Sequence, residues 1–436
     1  MTTATQNEIQ FDESGFRTFL ESRNEPAWLT EQREAAWARF NDLRWPNNRD
    51  EEWMRTDIRL FKLEKFKIHG ASSADGLPAT QLDDGVELAG RVKALDSRPI
   101  SATEFEEEYK AKGVIFGTIA ELLEEHGELI QKYLHKAIDT EIDRFAALQQ
   151  AMWSNGVFLY VPRNVTIDKP IHVSAMITDG GSDLRHTLIV IEEGAEATVL
   201  AESTSDADCS GLHVGGIELF VGDRANLRYV NLQDWGQKVW HFAHQKGVVG
   251  QDANLQWTVG ALGSKLAKVN QHVALAGERA NVQVNGVMFT ENKQHLSYHT
   301  LQHHEVQSCT SDFLYKGALQ DTSRTVWRGM IKVDEGAQKT DGYQRNDNLL
   351  LSTKARADSI PGLEIEADDV RCTHGSTSGR VDEELIFYAQ CRGYTRKEAI
   401  RAIVTGFFQQ VFDRITIESV REALALAIAR RVRDYE

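Results

Sequence analysis

The sequence predicts a mainly β protein: a right-handed parallel β-helix, or solenoid, flanked by N-terminal and C-terminal α-helical domains. Three observations carry this expectation. From Val157 onward, short runs rich in β-branched and aromatic residues (VFLYV, TLIVI, ATVLA, IELFV, NLRYV, NLQWTV, NVQVNGV, TVWRGMIKV) are separated by Gly, Asp and Asn. A hexad Gly-x-x-Ala-x-Val/Leu recurs at Gly194–Val199, Gly222–Leu227, Gly250–Leu255 and Gly277–Val282, with glycine gaps of 28, 28 and 27 residues. A fixed period of about 20–50 residues marks a stacked repeat. Helical patterns lie on either side, which divides the chain into 1–155, 156–376 and 377–436.

In the first region Trp37 and Phe40 stand at helical spacing after Thr30. Thr118 and Glu121 form a capping box before Leu122 and Leu123. Ile142, Phe145, Leu148 and Met152 form a further helical pattern that ends at a turn signal, Asn155-Gly156. The Ser/Asp/Gly-rich stretch from about 70 to 100 is expected to be loop or irregular. In each hexad the glycine is expected to permit a bend at φ > 0, with the Ala and the following Val or Leu entering the core on one strand face. The register is lost after Val282, where His304 stands at the expected glycine. A β-sandwich with similar turns is the rival architecture. A solenoid leaves an unpaired edge at each end, and the flanking helices are expected to cap them. Beyond 380, Thr395 and Glu398 make a second capping box. Ile400, Ile403, Val404, Phe407, Phe408 and Val411 then form an apolar stripe, followed by Val420, Leu424, Ala427 and Ile428.

Composition narrows the function. The 436 residues include 49 Lys plus Arg and 65 Asp plus Glu, a formal charge of −16, and the basic residues do not cluster. Nucleic acid and anionic membranes are therefore poor partners. No apolar run reaches about 18 residues, and the first residues show no basic and apolar leader pattern, so a cytoplasmic location is expected. The four cysteines, Cys209, Cys309, Cys372 and Cys391, are widely spaced, with no CxxC. A zinc ribbon or a cluster held by this chain alone is excluded on that spacing, and reduced thiols are expected. GxxxxGK[ST], GxSxG, HExxH and GxGxxG after a strand are all missing.

Two groups of residues could carry chemistry. His295, His299, His303 and His304, with Glu305, invite a metal reading, but histidines on the polar outer face of a solenoid are the favoured reading, since shared facing is not ligation geometry. In Asp368–Gly375 a strand would turn Val370, Cys372 and His374 to one side, placing a thiol beside an imidazole. Such a pair suits iron or another borderline-soft metal, but two ligands leave the ion open, so the rest would have to come from a second chain. A buried cysteine beside a hydrogen-bonded histidine is the alternative. The stripe with Ile403, Val404, Phe407 and Phe408 is either core or the face that docks a partner.

CTHGSTSGRVDEELIFYAQCRGYTRKEAIRAIVTGFF, with NDNLLLSTKARADSIPGLEIEADDV before it, closely resembles the C-terminal signature of the SufB/SufD family of iron–sulfur cluster assembly proteins. Gly375 is the SufD-type residue, where SufB-type chains usually carry Glu. Ser376 and Ala389-Gln390-Cys391 depart from the usual residues outside the Cys–His pair. The resemblance implies a non-catalytic scaffold of a SUF-type complex. It would pair with a SufB-like subunit through the β-helix ends, or with itself when alone. A SufC-like ABC-type ATPase would dock on the C-terminal helices around Phe407 and Phe408 and supply ATP hydrolysis. His374, with Cys372, would meet a transient iron–sulfur cluster or iron at the shared interface, with no cofactor held stably by this chain alone. A pectate-lyase-like carbohydrate enzyme and a self-contained histidine-cluster metalloprotein are the rivals.

Overall fold

The computed structural model describes residues 8–69, 80–82 and 85–433. Two long sheets, one of 10 and one of 11 strands, face each other, and the chain alternates between them from Asn155 to Arg380. Every strand from Arg185–Ile191 onward pairs in parallel with the strand one turn before it in the same sheet, which is a parallel β-solenoid of about eight turns. The first sheet ends on Arg356–Ile365 and the second on Arg371–Arg380.

The hexads build the interior as expected. Ala197, Ala225, Ala253 and Ala280 are buried with Val199, Leu227, Leu255 and Val282 in one apolar cluster. The role of the glycines differs from the expectation. Asn226, Asn254 and Asn281 stack in register, so Gly222, Gly250 and Gly277 are equivalent, but none of them has positive φ. Positive φ falls two residues later, on Arg224, Asp252 and Arg279. At Gly277 a Cβ would lie 2.0 Å from the Gln251 backbone N, so glycine is required there by the close approach of stacked turns. Gly194, at φ 68°, aligns instead with Arg224, so the first hexad stands two residues out of step with the others. Nor does the stack stop at Val282. The turns lengthen, so that Asn281 stands over Thr310, Thr310 over Asp341 and Asp341 over Arg371.

The helices cover flanks, not ends. Helices α1 (Glu13–Glu21), α2 (Ala27–Asp42), the short α3 (Glu107–Ala111), α4 (Ile119–Tyr133) and α5 (Arg144–Met152) precede the solenoid. Helix α5 is wholly buried; it packs against α2 on one side and two strands of the first sheet on the other. An aromatic cluster fills this seam, with Phe145 stacked on Phe242 at 3.7 Å and Trp37, Phe40 and Trp53 around it. The Thr118–Glu121 capping box opens α4. Asn155-Gly156 begins a strand instead of making a turn, because Gly156 lies flat against the His186 carbonyl, 2.3 Å from where a Cβ would sit. Of the stretch expected to be irregular, 70–79 and 83–84 lie outside the described residues, and Gly90–Leu95 is a strand that extends the second sheet. The N-terminal ends of both sheets are covered by short antiparallel strands.

The C-terminal helices α6 (Glu383–Cys391), α7 (Arg396–Phe412) and α8 (Glu418–Arg431) lie along the outer face of the second sheet. The second capping box, Thr395 and Glu398, opens α7. Neither helical unit pairs with the last strands, so the C-terminal end of the stack is open.

Candidate functional site

Strands Arg356–Ile365 and Arg371–Arg380 are each paired on one side only. Arg371 N donates to Thr340 O, and Arg356 N donates to Ser323 O. Backbone direction alternates along a strand, so Cys372, His374, Ser376 and Ser378 turn their N–H and C=O groups to the free edge. On the other strand Ala357, Ser359, Pro361, Leu363 and Ile365 do the same. Pro361, which has no N–H, therefore occupies a position where the inner ladder needs none. Leu363 and Ile365 are apolar and exposed beside it.

Cys372 and His374 stand over Gly342 and Gln344 and face the interior of the last turn. Cys372 is half-buried against Ile331, Val333, Ala337 and Ala367. That apolar wall pushes its thiol pKa up. His374 is exposed, because no further turn closes over it. The two residues the sequence paired are thus on one side of one strand at the open end. The interior also changes character here. The apolar Ala, Val and Leu filling gives way to Gln344, Asn346 and Asn348, with Asn348 Nδ2 donating to Asn346 Oδ1 at 2.7 Å and to Ser359 Oγ at 3.1 Å. Among the described residues, Cys209 and Cys309 are buried inside the stack, Cys309 two turns in from this end, and Cys391 is exposed on α6.

The apolar stripe resolves differently from its expected docking role. Val404 and Phe408 are fully buried against Val287, Phe289 and Leu314 of the second sheet, and Ile403 and Phe407 are packed beside them. Lys316 reaches under α7, donating to Phe407 O at 3.0 Å and lying 4.8 Å from the Phe407 ring. These side chains are core, because a helix laid on a sheet must bury one stripe. The exposed apolar surface lies on α6, which buries Ile386 alone. Phe387 is 68% exposed and Tyr388 59%, with Leu385 and Tyr394 beside them.

The histidines of strand His295–His304 do not converge. His299 Nδ1 bonds Glu52 Oε2, His303 Nε2 lies 2.9 Å from Asp334 Oδ1, and His304 turns inward to Ser311. Burial pushes His295, His299 and His304 down to about 4, so they are neutral and structural at neutral pH.

The family model for the SUF system FeS cluster assembly SufBD core domain matches residues 175–407, and that for the SufBD protein N-terminal region matches 98–173. The chain belongs to the SufBD family. It is 28% identical to the iron–sulfur cluster assembly protein SufD of Bacillus subtilis, across 99% of this chain and all of that one. It is 27% identical to a chloroplastic SufBD family protein of Arabidopsis thaliana, over 93% of this chain and 77% of that one. A SufBD family protein of Synechocystis is 26% identical over 93% of this chain and 90% of its own length. The SufBD core match spans the solenoid from its second turn through its open end into α7. No described helix is long and apolar enough to cross a membrane.

Proposed function

We propose that this SufBD family member is a non-catalytic scaffold that pairs its open β-helix end with a SufB-like subunit, continuing both sheets across the join. The observation that carries this reading is the pair of ten-residue end strands with a free hydrogen-bonding edge. A free edge of that length selects another strand edge as its partner. Gly375 supports it too. A Cβ there would meet only Arg345 Cγ at 3.9 Å, so this chain alone does not need a glycine at that position. In the absence of the SufB-like chain, a second copy offers the same edge.

At that join Cys372 and His374 supply two donors, and the partner the remainder, for a transient iron–sulfur cluster or iron. Burial keeps Cys372 a thiol in the free chain; a metal arriving at the seam would displace its proton. A SufC-like ABC-type ATPase would dock on the exposed α6 face, since the stripe of α7 is already covered. ATP-driven closure of two such ATPases would move the helices and reshape the seam as a rigid-body change.

Ser376→Pro removes one free-edge donor while leaving the inner ladder whole. The purified variant should keep its fold by circular dichroism and lose co-purification of the SufB-like chain; undiminished co-purification would remove the pairing. His374→Ala should lower cluster yield in the assembled complex without loss of assembly, and an unaffected yield would end the ligand role.

A further inference from the structure

Far from the open end, a second set of donors meets where the N-terminal segment crosses the first sheet. Glu218, buried on strand Ser210–Val221, accepts from the backbone N–H groups of His135, Ala137 and Ile138 at 2.7, 2.6 and 3.0 Å. His186, from the neighbouring strand Arg185–Ile191, places Nε2 2.9 Å from Glu218 Oε2. His135 completes the group, its ring centroid 4.5 Å from that of His186. One ligand atom from each of the three lies within 4.8 Å of the others.

His135 is what makes this more than a buried ion pair. Both of its ring nitrogens are buried and make no hydrogen bond. Its backbone sits at φ 57°, in the left-handed region that histidine, like asparagine and aspartate, enters more readily than other side chains do. A neutral imidazole with two idle nitrogens gains nothing from this placement unless something else takes the lone pair. The His186 ring is seated deliberately, because a Cβ on Gly216 would lie 2.7 Å from its Nδ1.

We propose that His135, His186 and Glu218 bind one divalent transition ion, zinc or ferrous iron, that ties the 134–138 segment to the solenoid. Two imidazoles and a carboxylate suit these borderline ions. Bonds of about 2.1 Å hold ligands about 3.4 Å apart, so the set draws in by about 1 Å on binding. His135 lies between helices α4 and α5, and its side chain makes the move while the backbone of the segment stays bonded to Glu218. With the ion on Nε2 of His186, the proton moves to Nδ1, and Gln149 Nε2 gives up its 3.3 Å contact with Nδ1 while keeping its donation to Arg185 O at 3.0 Å. Of the three ligands only His135 lines a surface cleft, of about 580 Å³, with Thr140, Glu141 and Gln150, and an ion would enter past its ring. Arg33 lies nearby and pairs with Glu25 at 2.6 Å, but Glu25 also serves Arg23 at 2.5 Å, so one positive charge of this trio remains and works against the ion.

The site is independent of the cluster seam, and its test is made in the full chain carrying Cys372→Ser and His374→Ala, so that the end strand contributes no ligand. That protein is stripped with chelator, then dialysed against Zn2+, or anaerobically against Fe2+, and the retained metal is measured after gel filtration. About one ion per chain should remain, and melting should shift upward with the ion. His135→Asn should weaken binding by about 100-fold or more and abolish the metal-dependent shift. Without metal it should melt close to its parent, since it loses the ring's contacts with His186 and Trp153 but no hydrogen bond, and asparagine suits φ > 0. His135→Gly, which suits the same backbone, serves as the second variant. Failure of the parent to retain either ion, or retention by both variants at parental affinity, would overturn the site.

Discussion

At position 268 a lysine lies fully buried beneath the N-terminal segment, its Nζ donating to Asn270 Oδ1 at 2.8 Å and standing 3.8 Å from Glu52 Oε2. Burial pushes its pKa down to about 7, against the smaller upward pull of Glu52 and Asp143. The unfolded chain holds that proton up to its ordinary pKa of about 10.4. Above pH 7 the unfolded state therefore binds more protons, and folding stability rises with pH by up to about 1.4 kcal/mol per unit. The gain accumulates from about pH 7 to about pH 10.4 and is absent below pH 7, where both states hold the proton. Denaturation measured between about pH 7 and about pH 8.5 should show this rise in the wild type and not in Lys268→Met. Equal slopes would mean that the ammonium is not desolvated as described. The same scale separates core from surface at the C-terminus. Phe408→Ala should cost about 3–5 kcal/mol, as a large ring leaves a closed core. Phe387→Asp with Tyr388→Asp should change stability by only about 0.5 kcal/mol each. The double variant should nevertheless lose co-purification of the ATPase; retained ATPase would place its docking elsewhere.

At the scale of elements, what the sequence discloses depends on how local the cause is. Both capping boxes, Thr118–Glu121 and Thr395–Glu398, are legible because each closes within one turn. The stripe through Val404 and Phe408 is legible as a helix face, but periodicity does not say what covers that face, so core and docking surface look alike. The hexads disclose the stack, yet the two-residue slip at Gly194 is invisible, since the same letters serve a positive-φ position there and a close contact at Gly277. The hexad register is not legible in the later turns, because Cys309 and Thr340 replace the alanine as the coil lengthens. Cys372 and His374 are adjacent enough for strand alternation to pair them. His135 and Glu218 are not: 83 residues separate them, and only the folded flank brings them together.

For the whole molecule, the consequence of these placements is asymmetry. One end of the solenoid is closed by antiparallel strands, both flanks are plated with helices, and the other end presents two free edges over a polar interior. Soluble proteins seldom leave such edges unprotected, and here neither helical unit is placed to protect them. In the proposed function this end joins a second stack, and Cys372 and His374 stand at that join. Amide hydrogen exchange tests this most directly. In the free chain the amides of Cys372, His374, Ser376 and Ser378 should exchange fast while their inward neighbours are protected, and binding of the SufB-like subunit should protect all of them. Unchanged exchange at those four amides in the assembled complex would contradict the account.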